Sequence, residues 1–434
     1  MPAIVQSVLW VAHPVRFAEA CRRRYGNLFT VRMYPFGPIV YVADPEHIRR
    51  ILTSGTDLYC ASEANKIVDF VVGPCSLLLL DGVHHASRRR TLMPPFHGDS
   101  ITPYRKLIGS IVTDEVRRWP QGTPVRLHHR LQRITLDVMI QAVFGITGEA
   151  EMADLRRLVP ELLHVNAAII FFPRLRKDLG SWSPWGRFVR ARNRIDEVLY
   201  AEIARRRHEF EDADRKDVLS LLLRAQHQSD VHLSDAELRD HLVTLLAVGH
   251  ETTATALAWV IERLARHPGA LARVRTELEL PKSPYLEAVI NETLRIRPVT
   301  MDIARVVSDT AEIGQYRFSA GTMVALSLGL LHSSPSCYPE PARFAPERFL
   351  DSPPPPYHFL PFGGGTHRCL GAHFAMMEMK VILQEIVRLL DIRPSRPQDE
   401  AMRAAGPMLV PARHTEVILE PRESVIGRTP GDGS

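Results

Sequence analysis

The chain has 434 residues, 45% apolar and 24% charged, with a formal net charge of +5 and a pI near 9.0. That composition excludes whole-chain disorder and allows a sizeable core, and so mild a basic excess does not point to nucleic acid. Five scattered cysteines, Cys21, Cys60, Cys75, Cys337 and Cys369, form no C-x-x-C, which argues against a zinc module or a disulfide framework and fits the reducing cytoplasm.

The opening segment "MPAIVQSVLWVAHPVRF" has a short apolar patch, no basic leader and too few residues to span a bilayer. No later window is longer and more apolar, so the expectation is a protein without a transmembrane anchor. Residues 27–44 read as two strands around a Pro-Phe-Gly-Pro turn, followed by a helix with Asp44 as cap and Pro45 in its first position. Three arginine runs, Arg22–Arg24, Arg88–Arg90 and Arg205–Arg207, read as solvated helix faces or as a face that docks an acidic partner.

From about 100 to 300 the pattern is helical, over 102–118, 132–145, 150–162, 185–209, 216–225, 235–266, 268–279 and 285–295. The piece 235–266 is long, Pro-free and poor in central charge, so it is expected to be surrounded by protein. Within it lies "AVGHETTATA". Its Gly249 costs the helix about 1 kcal/mol, and a buried Thr252 ordinarily bonds the carbonyl one turn back, that of Val248. In "NETLRIRPV", Glu292 and Arg295 share one helix face; alone, such a pair is usually a surface ion pair of little worth. Their apolar neighbours Leu294 and Ile296 hint at burial, where the Arg fork needs planar acceptors.

After 300 the texture changes. Strand-like pieces at 303–307, 311–318 and 322–326 predict a small sheet, and 333–361 is a long loop with nine prolines. Then comes "FGGGTHRCLG", residues 362–371, with four glycines around one cysteine, before a helix at 372–390 and a β-like ending at 407–420. Glycines at 363–365 and 371 allow tight turns and close approach to a flat cofactor. Cys369 lies just before a helix start, where backbone N–H groups lower a thiol pKa. A buried structural cysteine is one reading. A metal site is the other, and with no further soft ligand nearby it is a single-thiolate site such as haem iron. Without repeats or a clear linker, residues 1–421 read as one domain, mainly α with small β-sheets (α+β), and residues 422–434 as a loose tail.

"FGGGTHRCLG" resembles the haem-binding signature of the cytochrome P450 monooxygenases, Phe-x-x-Gly-x-x-x-Cys-x-Gly, carried here by Phe362, Gly365, Cys369 and Gly371. The resemblance extends over nearly the whole chain and is of the soluble bacterial type. It implies the cytochrome P450 fold, with haem b between the long central helix and the cysteine-ligand loop. It makes Cys369 the iron ligand, places Phe362 and Gly363 beside it, and gives His367 a haem propionate. Glu292, Arg295 and Arg348 of "FAPERF" resemble a structural network that clamps the cysteine side of the fold. "GHETT" resembles the oxygen-activation segment, in which Glu251 and Thr252 deliver protons to dioxygen from a locally distorted helix. His85 and Arg89 match a His-x-x-x-Arg element that reaches propionates, with His84 and Arg88 as the alternative register, and Arg305 matches a further propionate arginine.

The implied activity is insertion of one atom of dioxygen into an apolar organic substrate, terpenoid, steroid or fatty-acid-like, by a monomer supplied with electrons by ferredoxin and ferredoxin reductase. Candidate pocket residues are Val72, Leu245, Val248 and Val299, with the apolar segments 68–80 and 160–186. Their aromatic residues read equally as plain helix packing. A haem-dependent isomerase, dehydratase or peroxygenase on the same scaffold, or a haem sensor or carrier, are the competing readings. The Glu251–Thr252 pair disfavours both.

Overall fold

Period-2 and period-3.6 apolar patterns build two different parts of the molecule. The computed structural model describes residues 1–55, 57–146, 148–163, 169, 173–208, 215–227, 232–278, 280, 283–350 and 352–422. In the smaller part, β1 (Leu28–Met33) and β2 (Gly37–Val42) form an antiparallel hairpin, with Leu28 opposite Val42. Strands β3 (Tyr59–Cys60), β5 (Asp302–Val307) and β8 (Met323–Ser327) complete a five-stranded sheet in the order β1-β2-β8-β5-β3. Its inward residues, among them Val40, Val42, Val324 and Leu326, pack on Ile48, Ile51 and Leu52 of helix α3 (Pro45–Thr53). Asp44 caps α3 as expected, accepting from Glu46 and His47 N–H at 3.0 Å each.

The segment 311–318 is not one strand but a hairpin, β6 (Ala311–Ile313) and β7 (Tyr316–Phe318), turned at Gly314 with φ 63°. The first 25 residues, where the sequence suggested no element, form helices α1 (Ala3–Ala12) and α2 (Pro14–Tyr25). Among the described residues no helix is long and apolar enough to cross a membrane.

The larger part is helical: α4 (Gly82–Leu92), α5 (Tyr104–Val116), α6 (Leu127–Met139), α7 (Glu149–Leu163), α8 (Pro184–His208), α9 (Val218–His227), α10 (Asp235–Arg266), α11 (Pro268–Glu277), α12 (Pro284–Ile296) and α13 (Ala372–Leu389). The long helix starts at a capping box, in which Ser234 Oγ accepts from Glu237 N–H and Glu237 reaches back to Ser234 N–H. It runs through the main core, with Leu238, Leu242, Leu257, Ile261 and Leu264 fully buried. Gly249 has a packing reason: a Cβ there would lie 2.7 Å from Met139 Cε, so the glycine lets α6 lie close against α10. Besides the β6–β7 hairpin, β4 (Pro124–Arg126), β12 (Glu416–Pro421) and β9 (Leu390–Pro394) form a three-stranded sheet in that order, and β10 (Met402–Ala405) pairs with β11 (Met408–Pro411). Arg422, assigned to the tail from sequence, is tied to the fold: its N–H donates to Leu389 O at 3.1 Å.

Candidate active site

Helix α10 is buried along most of its length, yet near its middle Leu245, Val248, Gly249 and Thr252 keep accessible surface, and Val248 is 42% exposed. These positions, spaced 3, 4 and 7 apart, lie on one face. The stripe is accessible between buried turns, as the wall of a cleft is. Thr252 Oγ1 donates to Val248 O at 2.7 Å, the local bond expected of a helical threonine. The helix is continuous from Asp235 to Arg266. Glu251 lies on the flank, with its carboxylate turned to α6, where Gln132 Nε2 donates to both oxygens at 2.7 and 2.8 Å.

In the cysteine loop the glycines serve two purposes, and only partly the one anticipated. A Cβ at Gly364 would lie 2.8 Å from Leu52 Cδ1, and one at Gly365, whose φ is +66°, 2.4 Å from Leu52 O. These two glycines fit the loop onto α3, a contact between protein segments and not with a cofactor. Gly363 has φ +69° and faces Ile303; Gly371 alone faces open space. Cys369 N–H donates to Phe362 O at 2.9 Å, which closes the loop and sets the half-buried Phe362 beside it. The thiol is exposed on one side, although the rest of its shell is protein. Burial pushes its pKa up; the Gly371 N–H and the charges of Arg89 and Arg368 pull the other way. The expected N–H stabilisation is therefore present, but in the protein alone desolvation outweighs it.

Cations converge here from three separate segments. Arg305 on β5 is 6% exposed and Arg89 on α4 half-buried; burial lowers both pKa values, and the Cys369 sulfur partly restores that of Arg89. Among the described residues neither has a carboxylate within ion-pair distance. Buried cations without counter-charge call for anions, and the two propionates of haem are of that kind. His85 is buried and stacked on His367 at 3.9 Å between ring centroids. Burial, then the nearby His367 and Arg89, hold His85 at about 4, so it is a neutral donor or acceptor at pH 7. Of the alternative register, His84 is exposed and Arg88 is paired with Glu237 at 2.5 Å. His367 Nε2 lies 2.9 Å from Asp81 Oδ1. Burial raises the Asp81 pKa, but the bonds from His367 and Ser62 outweigh it and bring it to about 2. An exposed thiol, cations without a carboxylate at ion-pair distance among the described residues, and an accessible helix stripe together fit haem.

The Glu292–Arg295 pair is no surface bridge. Both side chains are fully buried and the fork is bidentate, at 2.7 and 2.8 Å. Arg348 Nε donates to Glu292 Oε1 at 3.1 Å, as does Ala345 N–H at 2.9 Å. Arg295 Nη1 continues to His332 O at 2.8 Å, and His332 Nε2 accepts from Leu360 N–H at 3.0 Å. Leu360 O in turn accepts from Gly363 N–H at 3.0 Å. A continuous bonded path thus runs from α12 to the cysteine loop. His332 was missed from sequence; burial and the Arg295 charge hold it at about 3, and only as the neutral ring can Nε2 accept.

The candidate pocket residues separate. Leu245 and Val248 face the cleft, Val299 is half-buried with its carbonyl accepting from Leu409 N–H at 2.8 Å, and Val72 is buried at 2% exposure. Residues 164–168 and 170–172 of the second apolar segment lie outside the described residues. Of its two tryptophans, Trp182 is 90% exposed while Trp185 stacks on Phe188 at 4.9 Å and is plain packing. The segment 68–80 is moored to α10 by residues with no sequence signal: Cys75 N–H donates to Asp240 Oδ2 at 2.9 Å, and Ser76 and Thr244 hydroxyls meet at 2.7 Å. The arginine runs are largely spent internally. Arg22 pairs with Glu19, Arg205 with Glu202 and Arg207 with Asp235, and Arg206 is buried between Glu202 and Asp217.

A mainly helical fold with an exposed thiol and buried cations beside an accessible helix stripe is the arrangement that a haem-thiolate protein needs. The family profile for cytochrome P450 matches residues 2–418. Cytochrome P450 135B1 of Mycobacterium tuberculosis is 38% identical over 430 residues, covering 97% of this chain and 90% of the relative. Cytochrome P450 135A1 of the same species is 39% identical over 402 residues, covering 92% and 88%. A cyanobacterial CYP120A1 structure with retinoic acid bound superposes with a TM-score of 0.82 at 25% identity, over 95% and 96% of the two chains. The haem domain of cytochrome P450DA gives 0.84 at 21% identity, over 96% and 95%, a likeness of fold. This chain belongs to the cytochrome P450 family, oxygen-incorporating oxidoreductases that bind haem b and take electrons from redox partners.

Proposed function

We propose that this chain, as a single domain over residues 1–421, hydroxylates an apolar organic substrate of the terpenoid, steroid or fatty-acid class. Its site is the cleft beneath the accessible stripe of α10. The observation that carries the reading is that apolar Leu245 and Val248 share this stripe with Thr252. A structural relative with retinoic acid bound, a long apolar carboxylate, favours the same class.

Bound haem supplies the reductive activation of dioxygen, with one atom entering substrate and the other leaving as water. Cys369 would hold the iron, with Gly371 N–H, Arg89 and Arg368 sharing the charge on its sulfur. Arg89 and Arg305 neutralise the propionates, with His85 and His367 alongside. Thr252 Oγ1 holds a proton that its bond to Val248 O keeps in place, and Glu251 renews it. Thr252→Ala should therefore keep oxidising NADPH while releasing peroxide, with product per NADPH down about tenfold or more. Unchanged coupling in that variant would remove Thr252 from the mechanism.

Electrons come from a ferredoxin and its reductase to a monomeric enzyme in the cytoplasm. Because Arg22 and Arg88 are paired internally, the docking face rests on Arg23, Arg24, Arg90 and the exposed Arg368. Reduction by an acidic ferredoxin should slow severalfold as ionic strength rises from low to physiological, where the Debye length is about 8 Å. A salt-independent stopped-flow rate would exclude this face.

A further inference from the structure

Glu251 has an unusual partner for a carboxylate with only 17% of its side chain exposed. No arginine or lysine meets it among the described residues. At hydrogen-bond distance it has the neutral amide of Gln132 on α6, bound to both oxygens at 2.7 and 2.8 Å. Two histidines flank it. His128 Nε2 stands 4.0 Å and His250 Nε2 3.9 Å from the carboxylate. His128 is 2% exposed and held by Thr255 Oγ1 at 3.1 Å; burial, with His129 and His414 beside it, keeps it at about 3 and hence neutral. His250 Nδ1 lies 2.8 Å from Leu246 O, which fixes the ring beside the carboxylate.

The amide of Gln132 has two ends. Its nitrogen is committed to Glu251, so its oxygen points outward, 3.0 Å from His129 Nδ1. A carbonyl oxygen only accepts, so His129 must carry a hydrogen on Nδ1. His129 is exposed and its ring stacks on His414 at 4.4 Å, which fixes the ring plane. A one-way chain results: His129 Nδ1–H to Gln132 oxygen, Gln132 Nε2–H to the Glu251 carboxylate.

We infer that Gln132 and His129 are positioning residues for proton delivery, orienting the Glu251 carboxylate from the surface of α6. This rests on Glu251 being the acid of the Glu251–Thr252 pair. The amide nitrogen donates to both carboxylate oxygens, so it holds the carboxylate in one orientation. A hydrophobic residue at 132 would leave the carboxylate free to turn and without its donor.

The test uses the full chain with 15N-labelled histidine, the His129 signals being identified by their loss in His129→Asn. In the wild-type protein, with or without haem, His129 should be the Nδ1–H tautomer, and in Gln132→Leu it should revert to the ordinary Nε2–H form. An Nε2–H form in the wild type overturns the chain of bonds. A second readout needs no substrate: peroxide released per NADPH oxidised through a surrogate ferredoxin and reductase. Gln132→Leu should lower the water-forming branch between about ten- and a hundredfold, as misplacement of a reacting group does. His129→Asn, which keeps an N–H near the Nδ1 position, should retain most of it, and His129→Leu should not. If Glu251→Gln shifts the partition and Gln132→Leu does not, the relay is wrong and the role of Glu251 stands. If Glu251→Gln itself changes nothing, both fall.

Discussion

Cys369→Ser should leave a folded protein whose reduced carbon monoxide difference spectrum lacks the strongly red-shifted Soret band. The substitution changes one atom in a loop whose backbone is set independently, by the Cys369 N–H bond to Phe362 O and the fit of Gly364 and Gly365 against Leu52. Far-UV circular dichroism and the unfolding midpoint of the haem-free protein should therefore stay close to wild type. What is lost is the soft, charged donor. A serine hydroxyl is not deprotonated by one backbone N–H and two nearby arginines, and it pushes less electron density toward the metal. Oxygenation of any substrate should fall to background. A red-shifted band surviving in Cys369→Ser would mean that another residue ligates the iron. None of the other four cysteines lies in this loop.

Glu292→Ala should be the most damaging change away from the haem. It strands the Arg295 guanidinium, 1% exposed, with backbone carbonyls as its remaining partners, and it removes an acceptor from Arg348 and Ala345. Breaking a buried pair in this way costs about 3–5 kcal/mol, a large part of the roughly 5–15 kcal/mol that holds an ordinary domain together. The loss falls on the bonded path through His332, Leu360 and Gly363, so the cysteine loop should loosen first. Purified Glu292→Ala should show little or no pigment by its Soret-to-280 nm absorbance ratio, and a lower urea midpoint. Glu292→Gln keeps one acceptor oxygen and should lie between it and wild type. Full pigment in Glu292→Ala would show that the network is not what holds the loop.

Much of this was legible in the residues. The helix at 235–266 was bounded to the residue, because its start is a Ser-x-x-Glu box and its end a His-Pro. The cap at Asp44 and the spacing of Glu292 and Arg295 are likewise local and need no partner to be read. Helices α1 and α2 were missed because their short apolar stretch is too weak a pattern to be distinguished from coil. The single strand expected at 311–318 was two, since a positive-φ glycine reverses the chain where periodicity cannot show it. The glycines of the cysteine loop were read as room for a cofactor, and two of them are room for Leu52.

The sequence by itself determined the family, the candidate ligand cysteine and the elements that carry the candidate site, because those depend on residue type and on spacing along one segment. Only the tertiary structure decided which partners the charges take. It buried His85 while leaving His84 exposed, spent Arg88 on Glu237, buried Arg206, and turned Glu251 toward Gln132. Those outcomes depend on Coulomb and hydrogen-bond contacts between segments far apart in the chain. Which of them form is fixed by the packing of α4, α6 and α10, not by any motif.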